Sequence, residues 1–238
     1  MKRLYIIGLI LPVFLTGCNT NSEITVEYSG ALREIMSGNI MATKSLRELK
    51  DIKDVYALGA MENLKGEIQI FKGEVFNSYV SDSIVLIANS YDHKASLLVY
   101  SDVKDWEAVE VPSDITTKVD LEEFVYDIAN EKGISIEEPF PFLISGVVQS
   151  LSWHVINWAE NDKEHTHEKH KLSGLNGVIN NNTVEIIGFY SDKHKGVFTH
   201  HSTNIHLHFR TDEGKLAGHV DDLTPGDQMI LKLPKNDL

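Results

Sequence analysis

Apolar residues in this chain recur in short runs separated by turn signals, and the period of each run predicts an element. Two helical patterns come first, ALREIMSG (31–38) and SLRELKDI (45–52). The second opens with Ser45-x-x-Glu48, a capping box whose side chains satisfy orphan N–H groups at a helix start. Apolar runs of strand length follow at 55–61, 66–71, 73–80, 84–88 and 96–100, a spacing that predicts a mostly antiparallel sheet. LEEFVYDIANEKG (121–133) is the one clear helix, with Asp120-x-x-Glu123 as its capping box and Gly133 as its stop. Pro139 and Pro141 then interrupt the chain. A second set of strand patterns runs through 142–158, 175–179, 183–191, a histidine-rich stretch, and 227–234. The expectation is an α+β protein made of two sheet-rich halves of mixed or antiparallel strands with few helices. The halves divide near 133–142, into an N-terminal sheet half over 30–138 and a C-terminal sheet half over 139–238.

The first residues follow a different logic. Lys2 and Arg3 precede an apolar run over 4–15, too short for a spanning helix of about 20 residues and suited to a secretory signal over 1–17. Its end, Leu15-Thr16-Gly17-Cys18, resembles a bacterial lipoprotein cleavage site. Cys18 is the sole cysteine and stands where lipidation needs it. The expectation is an exported lipoprotein, periplasmic or on the cell surface, with residues 18–29 as its tether and the lipid as its one membrane contact. No cysteine remains for a disulfide or a thiolate ligand, so any metal site must use histidine and carboxylate. Losing Lys2 and Arg3 takes the formal charge from −13 to −15, which argues against a nucleic-acid partner. A homodimer is left open.

Five of the eleven histidines fall in THHSTNIHLHFRTDEGKLAGHVDD (199–222). On a strand, His206 and His208 share a face, about 6–7 Å apart. A hairpin with Glu213-Gly214 at its turn pairs 212 with 215, 210 with 217, and 208 with 219. That register sets His219 opposite His208 on the same face, with Cβ atoms about 4.5–5.5 Å apart. Three imidazoles so placed on a C-terminal hairpin suit Zn²⁺, which in catalytic sites often takes three protein ligands and keeps one position open. His165, His167 and His170 sit among charges without periodicity and read as a solvated loop. His200 shares strand parity with His206; His93, His154, His194 and His201 carry no signal.

The spacing His206-Leu207-His208-Phe209 followed by Gly218-His219-Val220 resembles the zinc motif of the α-acetolactate decarboxylase family. LGAMENLKGEIQIFKGEVF (58–76), with its Leu-x-Gly-Glu and Gly-Glu-Phe-like pattern, is similar to an upstream family segment; LREIMSGNI, TVEIIGF and LKLP fall in the expected order. The resemblance implies conversion of 2-hydroxy-2-methyl-3-oxobutanoate, or a related small 2-hydroxy-3-oxo acid, to acetoin and CO₂. It also implies Glu67 as the carboxylate at the metal centre. Family members carry an arginine for the substrate carboxylate where this chain has Leu143, and a glutamate on a tail beyond the position of Leu238. Arg210, two residues past His208 on the same face, is the candidate replacement for the arginine. A second class of function competes: a lipid-anchored protein that keeps the zinc fold for metal or ligand binding and has lost the reaction.

Lipidation is directly testable. Cys18→Ser is expected to release the protein from the membrane fraction or leave it unprocessed, and identical retention and mass in both forms would reject the assignment.

Overall fold

The computed structural model describes residues 24–235, so the signal over 1–17 and the modification of Cys18 lie outside the described residues. The first sheet holds β1 (Val26–Ser29), β2 (Lys44–Ser45), β3 (Val55–Met61), β4 (Glu67–Phe71), β5 (Glu74–Val75), β6 (Asn77–Ser81), β7 (Ile84–Ala88) and β8 (Lys94–Asp102). The second holds β9 (Trp106–Glu110), β10 (Phe140–Val155), β11 (Leu175–Tyr190), β12 (Ile205–Thr211), β13 (Ala217–Pro225) and β14 (Ile230–Pro234). All pairings between these strands are antiparallel. Three α-helices complete the described residues: α1 (Leu32–Met36), α2 (Lys118–Glu131) and α3 (His167–Leu172). The expected α+β class, with two sheets and few helices, holds.

The first sheet runs β1-β8-β3-β4-β6-β7. Its central strands are buried at nearly every position because both faces are covered. On one face Leu46, Leu49, Ile68, Ile70 and Leu98 pack together; on the other Leu58, Leu64, Phe71 and Leu97 meet Leu143, Ile187, Phe189 and Phe198 of the second half. Each such side chain contributes about 1.5–3 kcal/mol on burial, so the interface welds the sheets together. Leu143 is 2 % exposed within this interface.

The second sheet closes on itself, since β10 pairs with β13 on one side and with β11 on the other, while β11-β12-β13 completes the ring. Phe140, Phe142, Ile144, Leu151, Ile186 and Phe209 fill it, with Leu121, Val125 and Ala129 of α2 against them. The patterns at 175–179 and 183–191 form one strand rather than two. The polar Asn180-Asn181-Asn182 run between them continues the pairing with β10 in unbroken register, with Asn181 at φ 48°.

Three expectations need correction. Residues 26–29, assigned to the tether, form β1 on β8, where Val26 packs into the core and Tyr100 donates to Glu27 at 2.6 Å. The division at 138/139 does not follow the sheets, because β9 pairs with β14 and α2 packs on the second core. The long helix begins at Lys118, and its capping box is Thr117 with Asp120, not Asp120 with Glu123. Thr117 is extended and accepts from the Asp120 N–H, so the box lies one turn earlier than the apolar periodicity indicated. Gly133, at φ 73°, ends that helix as expected. The Ser45–Glu48 box is also present, on a single 3-10 turn at Leu46–Leu49.

Gly66, immediately before β4, has φ 152°, and a Cβ there would lie 2.3 Å from the Ser78 carbonyl oxygen and 2.6 Å from Met61 Sδ. Gly66→Ala is therefore expected to cost about 1–3 kcal/mol of backbone strain. Chemical denaturation would show this as a lower midpoint at unchanged slope; an unchanged midpoint would contradict it.

Candidate metal centre

The predicted hairpin register is present: His208 pairs with His219, Phe209 with Gly218, and Arg210 with Ala217. The turn spans four residues instead of two, with Gly214 at φ 64° supplying the left-handed position that Glu213 disfavours. On the next strand His154 pairs with His219, so three neighbouring strands carry imidazoles in one row. His206 stands two residues before His208.

Three ring nitrogens converge. His206 Nε2 lies 3.2 Å from His208 Nε2 and 3.2 Å from His219 Nδ1, and the last two are 3.3 Å apart. Nitrogens at about 2.0–2.1 Å from a tetrahedral ion stand about 3.3–3.4 Å from one another, so the triangle has the size a zinc-like ion requires. Protonation matches as well. Burial pushes His206 down to about 3 and holds His208 and His219 well below the ordinary imidazole range. The rings are neutral near pH 7, with lone pairs available. His208 donates from Nδ1 to Gln69 Oε1 at 2.9 Å, which leaves Nε2 as the acceptor facing the centre. Gln69 is itself pinned by its amide nitrogen donating to the Phe76 carbonyl at 2.9 Å and to Ser78 Oγ at 3.2 Å. An amide that fixes a ligand's tautomer from outside the ligand set is a recurring feature of metal sites. The donor set present fits a divalent transition ion.

Glu67 enters from the first sheet, at the start of β4. Its carboxyl is 4 % exposed, accepts the Ile156 N–H at 3.2 Å, and lies 3.7 Å from His154 Nε2 and 3.9 Å from His208 Nε2. Burial pushes it up to about 7, against the opposing pull of His154 and the Ile156 N–H. His154 is turned by Asp221, whose Oδ1 lies 3.0 Å from Nδ1. Burial works to raise Asp221, but this hydrogen bond prevails and holds it below its usual range.

Glu67, His154, His206, His208 and His219 line one small cavity, of about 90 Å³, with Leu32, Ile35, Leu64, Leu97 and Ile156 as its apolar side. The segment 165–170, expected to be a solvated loop, includes part of its roof. His170 is buried in α3, accepts or donates to His165 Nδ1 at 2.9 Å, and packs against Trp158. His167 and His170 both line the cavity. Arg210 does not. Its guanidinium donates to Glu185 at 2.7 and 3.0 Å, lies 3.7 Å from Glu74, and packs over Phe71 and Phe76. Strand parity put it on the right face, but the cross-strand neighbour Glu185 claims its charge. Sequence reasoning missed His154, Asp221 and Gln69: His154 joins through the long-range pairing of β10 to β13, Gln69 through docking of the other sheet, and Asp221, on β13 two residues past His219, has an ordinary local pattern.

Two antiparallel sheets thus meet over a buried cluster of three histidines that could hold a metal ion, with a carboxyl supplied across the interface. The family model described as alpha-acetolactate decarboxylase matches residues 28–235, and the chain belongs to that family. An alpha-acetolactate decarboxylase from Bacillus subtilis strain 168 shares the fold at TM-score 0.70 and 16 % identity, over 88 % of this chain and 85 % of that one. The acetolactate decarboxylase of Bacillus subtilis subspecies spizizenii gives 0.71 and 16 %, over 88 % and 85 %. A Staphylococcus aureus protein of unknown function, described as similar to alpha-acetolactate decarboxylase, gives 0.69 and 17 %, over 89 % and 86 %. No curated protein matches the chain by sequence.

His206→Ala, His208→Ala and His219→Ala are each expected to abolish stoichiometric zinc retention after dialysis. Gln69→Leu is expected to weaken zinc by about 10–100-fold in a chelator competition. Full zinc retention in the triple alanine variant would place the site elsewhere.

Proposed function

We propose that the protein is a zinc-dependent decarboxylase of a small 2-hydroxy-3-oxo acid of the acetolactate type. The observation that carries the reading is the meeting of the imidazole triangle and the Glu67 carboxyl in one cavity, in a chain of this family. His206, His208 and His219 would hold the ion. When bound, zinc supplies a Lewis acid that draws electron density toward an oxygen next to the carbon losing CO₂.

The chain's own residues do the rest. Gln69 keeps the His208 lone pair directed inward. The apolar side formed by Leu32, Ile35, Leu64 and Leu97 limits water around the reacting carbon. Cleavage of the C–C bond leaves an electron pair on the former C2, which must take up one proton to complete acetoin. Glu67 is the carboxyl in the cavity lining, and its role is to deliver that proton. Asp221 holds the His154 ring, and His154 in turn faces Glu67 and limits where its carboxyl can turn.

Racemic 2-hydroxy-2-methyl-3-oxobutanoate incubated with zinc-loaded protein is expected to yield acetoin and CO₂. Glu67→Gln should lower kcat by about 10²–10⁴-fold while zinc stoichiometry stays at one. A wild type that turns over none of the 2-hydroxy-3-oxo acids tried would sink the reading.

A further inference from the structure

The substrate class named above carries a carboxylate, and a carboxylate entering a cavity with so apolar a side needs a cation, because an unpaired charge against apolar surface is costly. Leu143 lies in the apolar interface and Arg210 is committed to Glu185, so neither meets that need. Among the residues lining the cavity one side chain is an ammonium or guanidinium: Lys171, on α3. Its neighbours in the lining, His167 and His170, are imidazoles, and burial pushes His170 down to about 4. Lys171 Nζ lies 3.6 Å from Asp221 Oδ2, too long for a hydrogen bond, and its side chain is 36 % exposed. An ammonium carries three donors, so Lys171 keeps hydrogen-bonding capacity facing the space between α3 and the histidine row. Asp221 Oδ2 is buried without a hydrogen-bond partner and lies nearest the lysine head at the cavity edge.

We propose that Lys171 receives the substrate carboxylate, a role that rests on the decarboxylase reading above. The apolar side and the small volume restrict the acid to a short monocarboxylate, and the single cation fixes which end faces α3. The chemistry makes the role lopsided between ground state and transition state. Negative charge leaves the carboxylate as CO₂ forms, so an ammonium beside it stabilises the bound acid more than the transition state. Removing Lys171 therefore raises KM and leaves kcat unchanged or a few-fold higher, never lower.

The test separates binding from turnover. Calorimetry of the zinc-loaded protein would use 2-hydroxyisobutyrate, an acid that lacks the 3-oxo group and is not turned over, and acetoin, which is neutral. Lys171→Met is expected to weaken 2-hydroxyisobutyrate by about tenfold, the scale of one charge-assisted hydrogen bond in a partly open site. Acetoin affinity and zinc content should stay within about twofold of wild type, which shows that the variant is folded and its metal site intact. Lys171→Arg should restore acid binding. Equal affinity of wild type and Lys171→Met for 2-hydroxyisobutyrate would overturn the proposal, as would equal weakening of acetoin or failure of the wild type to bind the acid. A wild type that binds the acid through Lys171 but releases no CO₂ from any 2-hydroxy-3-oxo acid would refute the decarboxylase reading and leave the Lys171 subsite standing.

Discussion

The hydrogen bond from His208 Nδ1 to Gln69 Oε1 is the contact on which the site depends. It crosses from the second sheet to the first, and it decides which nitrogen of the most buried imidazole is free. Without an outward acceptor, His208 could place its proton on Nε2, and three converging nitrogens could not all present lone pairs. The burial that keeps these rings neutral also removes water as an alternative partner. Gln69 in turn needs Ser78 and the Phe76 carbonyl, so β4, β5 and β6 are tied to the orientation of a residue on β12.

Much of this was legible locally. Side-chain alternation and the DEGK turn were enough to align His206, His208 and His219, because a hairpin's register is set within about a dozen residues. Apolar runs located most strands, including those buried on both faces, but missed β1, β2 and β9, which are short or polar. The illegible parts share one cause, which is distance along the chain. His154 reaches the row through β10–β13 pairing, Gln69 through docking of the sheets, and His170 through a short helix whose sequence, HEKHKL, reads as a polar loop. Arg210 shows the converse error: its face was right, but parity says nothing about the carboxylate opposite it.

The family's fold at 16–17 % identity to three solved structures shows how loosely the scaffold constrains its residues. Interface positions such as Leu58 and Ile187 need only volume and apolarity. The hairpin histidines, Glu67 and the glycine before it have far less freedom, because each is fixed by a lone pair, a proton or a positive φ.

The separation of the two halves of the site along the chain has a consequence for assembly. His208 and His219 meet through a contact spanning eleven residues, whereas Gln69 reaches His208 across 139. Closing a long span costs more chain entropy than closing a short one. The hairpin alone is enough to bring the imidazoles together, whereas the carboxyl and the orienting amide reach them only through the docking of the two sheets, so the packing of that apolar interface governs the site's completeness.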